Sequence, residues 1–154
     1  ILDQFGKSAL FRAASSGQAD TCKALLLSDD ETFHLEEDES KARNLLEIQE
    51  PSTGYTPLHI AVVHKHLSVV KTIVASSPSF SSGYFQIQDT LDGNTALHLA
   101  VQLKNLDIIK ALLDAGASTD SKNNLNRAPL DMIDPSDPDF EDISNMLSFE
   151  FVSS

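Results

Sequence analysis

Apolar residues recur along this chain in pairs of short runs with helical spacing. In the segment 92–122, apolar side chains three or four positions apart occupy 97–101 and again 108–113, with Gly93 before the first run and Gly116 after the second. The spacing predicts two short amphipathic helices. The glycines fit a turn and a C-terminal cap that require positive φ. One such pair cannot bury its own apolar faces, so we expect several pairs to stack.

The same pattern occurs more than once. The hexapeptide Thr95–Ala100 reads TALHLA, and Thr56–Ala61 reads TPLHIA. A weaker copy follows Gly6, and a fourth follows Asn126, which stands in the glycine position and tolerates left-handed backbone. A period of about 33 residues with the signature T-P-L-H-x-A is that of ankyrin repeats. The chain therefore resembles an ankyrin-repeat protein, which implies an all-α solenoid of about four helix-turn-helix repeats.

The resemblance implies a single domain over residues 1–154 with two insertions. The expected repeats cover about 3–28, 51–76, 90–122 and 123–149, and the expected insertions cover about 29–50 and 77–89. The last repeat is degenerate, because 128–133 replaces the signature and prolines interrupt 134–139, and we interpret it as a cap. The chain begins at Ile1 without Met or a signal-peptide pattern, so we expect it to be a fragment of a longer protein.

Two details concern the turns. Lys65 and Lys104 stand where the family has Gly between the two helices, and left-handed backbone costs a non-glycine residue about 1 kcal/mol, so the conformation of this turn stays open. Ile48–Glu50 and Ile87–Asp89 lie at equal distances before Gly54 and Gly93. The two lead-in segments are therefore expected to share one turn geometry.

The charge balance bears on the partner. The chain has 23 acidic and 11 basic residues, a net charge of −12, and 41% hydrophobic residues without any long apolar run. This excludes a membrane span and disfavours direct nucleic-acid binding, which requires clustered Lys and Arg. A protein with a basic surface or peptide is the expected partner. Seven carboxylates within 29–39 form either a solvated loop or an electrostatic arm for that partner.

The single Cys22 excludes an internal disulfide and is expected to be a buried small hydrophobe. The lack of a disulfide framework favours an intracellular location, in the cytoplasm or nucleus.

No catalytic, cofactor or metal motif is present, so the sequence predicts a domain that is not an enzyme. The resemblance implies that His59 and His98 hydrogen-bond within the turns and link neighbouring repeats. His64 and His66 are two positions apart at a predicted helix end, so we expect them not to share a face. A substrate-recruiting domain within a larger enzyme is the alternative.

In this family the loop tips and the inner face of the first helices are free to bind a partner, on the concave side. Carried over by position, the expected partner-binding residues are Gln4, Phe5, Lys7, Ser15, Ser16, Ser52, Thr53, Tyr55, Val63, His64, Leu91, Asp92, Asn94, Gln102, Leu103, Leu125 and Arg127. Several are apolar or aromatic where the fold alone would accept polar residues, and such side chains anchor many interfaces.

Two groups within the family are similar in particular features. The segments 49–54 and 95–107 look like repeats of the inhibitor-of-kappa-B proteins, which hold transcription factors. The long insertions between repeats are similar to those of fungal cell-cycle transcription regulators. Both comparisons imply regulation of transcription or signalling, and the oligomeric state stays open.

Overall fold

The computed structural model describes residues 9–27, 46–75 and 82–148. These residues form helices, turns and loops and contain no β-strand. The α-helices with both ends in this part of the chain are α1 (Ala9–Ser15), α2 (Ala19–Leu27), α3 (Pro57–Val63), α4 (Leu67–Ala75), α5 (Ala96–Gln102), α6 (Leu106–Asp114) and α7 (Phe140–Ser148). Two 3₁₀ helices cover Ser82–Gln86 and Pro129–Met132.

The α-helices form two layers of antiparallel pairs. Helices α1 and α2, α3 and α4, and α5 and α6 pack as pairs, while α1, α3 and α5 stack in one layer and α2, α4 and α6 in the other. The 3₁₀ helix Pro129–Met132 continues the first layer on α5, and α7 continues the second layer on α6. The predicted all-α solenoid is confirmed.

The core follows the seam between the layers. Leu97 in α5 and Ile108, Ile109 and Leu112 in α6 are at most 1% exposed, as the helical spacing predicts. Burying one such side chain contributes about 1.5–3 kcal/mol. In the degenerate last repeat, Ile143 and Leu147 of α7 close the core.

The single cysteine belongs to this core. Cys22 is fully buried in α2, and burial raises the pKa of its thiol. The prediction of a buried small hydrophobe is confirmed.

Part of the second predicted insertion also packs on the core. Tyr84 and Phe85, in the 3₁₀ helix Ser82–Gln86, are buried with ring centroids 4.2 Å apart. Residues 76–81, which are rich in serine, and the acidic segment 29–39 lie outside the described residues.

The turns between paired helices share one conformation. Gly17, Lys65 and Lys104 have φ of 74°, 59° and 56°. In each turn the following residue donates its N–H to a carbonyl five positions earlier, as in Asn105 to Ala100 at 3.2 Å. The two lysines therefore adopt the left-handed cap that glycine adopts in α1–α2, at a cost of about 1–2 kcal/mol each.

Candidate interaction surface

Loops between successive helix pairs form hairpin turns with one repeated closing bond. The N–H of Glu50 donates to the Tyr55 carbonyl at 2.8 Å, and Asp89 donates to Asn94 at 2.9 Å. The last of these loops is one residue shorter, and the N–H of Asn123 donates to the Arg127 carbonyl at 3.0 Å. The shared geometry expected for the first two lead-ins is confirmed, and it extends to a third. We call these the second, third and fourth loops, after their repeats.

Each of these loops contains a buried side chain that accepts hydrogen bonds from the loop's own backbone. Asp89, 5% exposed, accepts through Oδ1 from the N–H groups of Leu91, Asp92 and Gly93 at 2.9–3.1 Å. Asn123 accepts through Oδ1 from Leu125 and Arg127, both at 3.0 Å. These acceptors fix the loop conformation, because a buried backbone donor without a partner costs about 1–3 kcal/mol.

Glu50 performs the same role in the second loop. Its carboxylate accepts from the hydroxyl and N–H groups of Ser52 and of Thr53 at 2.6–3.2 Å. These bonds, led by the Ser52 hydroxyl, outweigh burial and lower the pKa of Glu50 to about 2. These three acceptors were not predicted from the sequence, where their signal is a polar residue four positions before Gly54 and Gly93 and three positions before Asn126.

Neighbouring loops are also bonded to each other. Thr90 donates its N–H to the Thr53 carbonyl at 3.0 Å, and Asn124 donates to the Asp92 carbonyl at 2.9 Å. The Gln49 amide donates to the Gln88 carbonyl at 2.8 Å, and the Gln88 amide donates to Lys122 at 2.7 Å. The loop tips therefore form one continuous, backbone-bonded row.

Gly54 and Gly93 are required at these contacts. Their φ values of 71° and 72° are left-handed. A Cβ at Gly54 would lie 2.5 Å from the Thr90 nitrogen, and one at Gly93 would lie 2.3 Å from Asn124 Oδ1. Another residue would strain the backbone at both positions, and at Gly54 it would also clash with the backbone of the adjacent loop.

The signature histidines connect each first helix to the following loop. His59 Nδ1 lies 3.2 Å from Thr56 N and 2.8 Å from Thr56 Oγ1, and His59 Nε2 lies 3.0 Å from the Asn94 carbonyl. His98 repeats the arrangement with Thr95 and, at 2.9 Å, the Arg127 carbonyl. The backbone N–H requires an unprotonated Nδ1, so Nε2 carries the hydrogen. The prediction that these histidines link neighbouring repeats is confirmed.

Both rings are fully buried. Burial is the main cause that lowers the pKa of His59 and of His98 below the ordinary value, despite opposing hydrogen bonds to carbonyls. Within residues 9–27, 46–75 and 82–148, no three His, Cys, Asp or Glu side chains are grouped as a metal site would require.

The predicted partner-binding residues divide by exposure. Gln4, Phe5 and Lys7 lie outside the described residues. The exposed members are Ser16, Ser52, His64, Leu91, Asp92, Gln102, Leu125 and Arg127. The half-buried members are Ser15, Thr53, Tyr55, Val63 and Leu103.

Three apolar members of this set also serve the fold. Tyr55, Val63 and Leu103 pack against the core, and the Tyr55 ring stacks on His59 with centroids 5.7 Å apart and 9° between planes. Leu91 and Leu125 differ, because they are 54% and 64% exposed at the tips. They are the large apolar side chains that the described loops leave to solvent.

Asn94 is a correction to the predicted set. It is 3% exposed, its Oδ1 accepts from the Asn123 amide at 2.9 Å, and its carbonyl accepts from His59. A side chain held between two loops is not available on the surface, so we exclude it from the interaction surface.

His64 and His66 are a second correction. Their rings stack with centroids 5.9 Å apart and 14° between planes, although we expected them not to share a face. The reason is the left-handed Lys65, which turns the chain back at the end of α3. His66 Nε2 lies 3.1 Å from the Ser15 carbonyl, so this ring links the first two repeats.

The surface of the first layer includes a small cavity. It has a volume of about 210 Å³ and is lined by Phe11, Arg12, Ser15 and Ser16. Small-molecule sites usually occupy about 300–1,000 Å³, so the cavity gives no support to a cofactor site. In the described part of the chain, no helix has the length and apolar character needed to cross a membrane.

Stacked helix pairs, backbone-bonded loops and histidine links together define a helical repeat protein. A family model described as ankyrin repeats (3 copies) matches residues 1–82 and 35–123. The chain therefore belongs to the ankyrin-repeat family, whose members generally act as protein–protein interaction modules and are typically non-catalytic. A search of curated proteins finds no match.

Proposed function

We propose that this domain binds a partner protein on its concave side, through the loop tips and the exposed residues of the first helices. The observation that carries the proposal is the exposure of Leu91 and Leu125 on loops whose backbone is fixed by buried acceptors. Large apolar side chains in solvent mark interaction sites when they lie together. Loops that are already ordered lose little conformational entropy on binding.

The partner is proposed to present a basic surface. The chain has a net charge of −12, and Asp92 is exposed at the third loop tip beside Leu91. Opposite charge on the partner would speed association and suppress wrong partners. A role in the regulation of transcription or signalling stays a prediction from the resemblance.

The test is affinity capture with matched variants of the domain, followed by mass spectrometry. The tip variant is Leu91→Ser with Leu125→Ser. The control is Leu106→Ser, which removes a leucine 37% exposed in α6 of the second layer. We expect a set of proteins to be captured by the wild-type and control domains and lost by the tip variant.

Thermal unfolding of all three proteins checks that the tip variant is folded, since its leucines are mostly exposed. Capture that survives in the folded tip variant, or that is lost equally in the control, would contradict the proposal.

A further inference from the structure

The two exposed leucines lie on loops in direct backbone contact. Asn124 of the fourth loop donates to the carbonyl of Asp92, the residue after Leu91, at 2.9 Å. Gly93 leaves so little space that a Cβ there would lie within 3 Å of the Asn124 side chain. Leu91 and Leu125 therefore project from neighbouring tips that cannot move apart without breaking this bond. Each leucine is next in the chain to one residue of this bonded pair, so the two lie near the junction of the third and fourth loops.

The third loop carries a negative charge next to Leu91 in the chain. The Asp92 carboxylate is exposed and makes no hydrogen bond or ion pair with a described residue, whereas Asp89 is used within its loop. Burial is the main cause that raises the pKa of the Tyr55 phenol, and the negative charges of Asp89 and Asp92 raise it further. The Thr90 N–H donates to the Thr53 carbonyl at 3.0 Å, and this bond joins the second loop, which contains Tyr55, to the third loop, which contains Asp92. A cation placed there would meet both a carboxylate and an aromatic ring.

The fourth loop carries a positive charge. Arg127 is exposed in the fourth loop, two residues after Leu125. A cation of the partner would be repelled there and attracted at Tyr55 and Asp92. The row of tips is therefore electrostatically directional.

The spacing along the row gives a further constraint. Stacked helices, and hence equivalent tips, are about 8–10 Å apart. An extended chain advances about 3.3 Å per residue. Features one repeat apart are therefore about three residues apart in a partner segment that runs along the tips.

We propose that the tips receive an extended segment of the partner in which a Lys or Arg lies about three positions from a large apolar residue. The cation binds between Tyr55 and Asp92, and the apolar side chain covers Leu91 and Leu125. This inference depends on the proposed function, because it assigns the partner's chemistry at the same surface.

The probe is a library of random 12-residue peptides displayed on phage and selected on the folded domain at low salt. We expect enrichment of a basic residue about three positions from Leu, Ile, Phe or Met. One enriched peptide is then synthesised, and its Kd is measured by fluorescence anisotropy. Asp92→Asn is expected to raise Kd about three- to fivefold, as for an exposed ion pair, and Leu125→Ser about tenfold.

Matched controls are Asp114→Asn and Leu106→Ser, an exposed acid and an exposed leucine of α6, and both should leave Kd unchanged. Replacing the peptide's basic residue by Gln should abolish the effect of Asp92→Asn. The inference is overturned if no peptide is enriched, if the enriched peptides lack a basic residue, or if Asp92→Asn has no effect. If Leu125→Ser still weakens binding when Asp92→Asn does not, the proposed function stands without this inference. If neither variant affects binding, both fail.

Discussion

The third and fourth repeats begin with the same local geometry, but only the third donates a side-chain hydrogen bond to the loop of the following repeat. In the third, Thr95 and His98 cap α5, and His98 Nε2 continues to the Arg127 carbonyl in the next loop. In the fourth, Ala128 and Asp131 take these places, and Asp131 accepts from the Ala128 N–H at 2.9 Å. A carboxylate has no N–H to donate onward. The hydrogen-bond relay from repeat to repeat therefore ends at Asp131.

The same two repeats differ in packing. Leu97 and Leu130 occupy equivalent positions, but Leu97 is 1% exposed and Leu130 is half-buried. The first helix of the fourth repeat is a four-residue 3₁₀ helix, followed by a proline-containing loop. The comparison teaches that a repeat can retain its loop geometry after its helix has shortened, because the loop is fixed by its own acceptor and by its neighbour.

The largest expected effect is in the core of the third repeat. Leu97→Ala should lower the free energy of unfolding by about 2–5 kcal/mol, since it leaves a cavity at a fully buried position. Leu130→Ala should cost less than half as much, because its side chain is already partly solvated. Urea unfolding of the two variants measures this, and equal losses would show that the fourth repeat is as tightly packed as the third.

The histidine links predict an acid-sensitive stability of intermediate size. The folded-state pKa values of His59 and His98 are lowered by burial. Their contribution is therefore complete above the unfolded pKa of about 6.5 and is lost as pH falls from there toward the folded values. Each group adds at most about 1.4 kcal/mol per pH unit to the slope. Urea unfolding from pH 7.5 to 5 measures it.

His98→Gln is the matched variant for this pH dependence. It leaves His59 as the only buried signature histidine of the two, so the slope between pH 7 and 5 should become shallower. An unchanged slope would mean that the imidazole of His98 does not couple folding to protonation.

The smallest expected effect comes from a substitution that supplies the missing N-cap hydroxyl in the fourth repeat. Ala128 has the extended backbone of an N-cap, with φ −78° and ψ 166°, but no side-chain oxygen. Ala128→Thr should stabilise the domain by about 0.5–1 kcal/mol through a new cap. A shift of the urea midpoint measures the gain. A destabilised variant would indicate that the half-buried site has no room for the hydroxyl and methyl groups.

Much of the fold could be predicted from local patterns. Helical spacing located the paired runs 97–101 and 108–113, and the left-handed conformations of Gly93, Gly116 and Asn126 followed from residue type. The left-handed conformation of Lys65 and Lys104 could not be predicted from residue type, because the neighbouring helices impose it against the preference of lysine.

The candidate surface was less predictable, because exposure depends on contacts between repeats. Leu91 and Asn94 are both near the third tip in the sequence, yet only Asn94 is held by a bond to the following loop. The stacking of His64 on His66 likewise depends on one backbone angle between them. The position of a residue within the repeat predicts whether it lies at a loop tip. Its contacts with the next repeat determine whether its side chain is exposed.

The bonded row of loop tips also constrains how the domain can vary in length. A residue added inside the third loop would shift the atoms of Thr90 and Asp92 that are bonded to the loops on either side. The two insertions predicted from the sequence both come after a second helix and before the next loop tip. The bonds along the row therefore fix the spacing between loop tips. Relatives in which this domain is longer should carry the additional residues away from the tips.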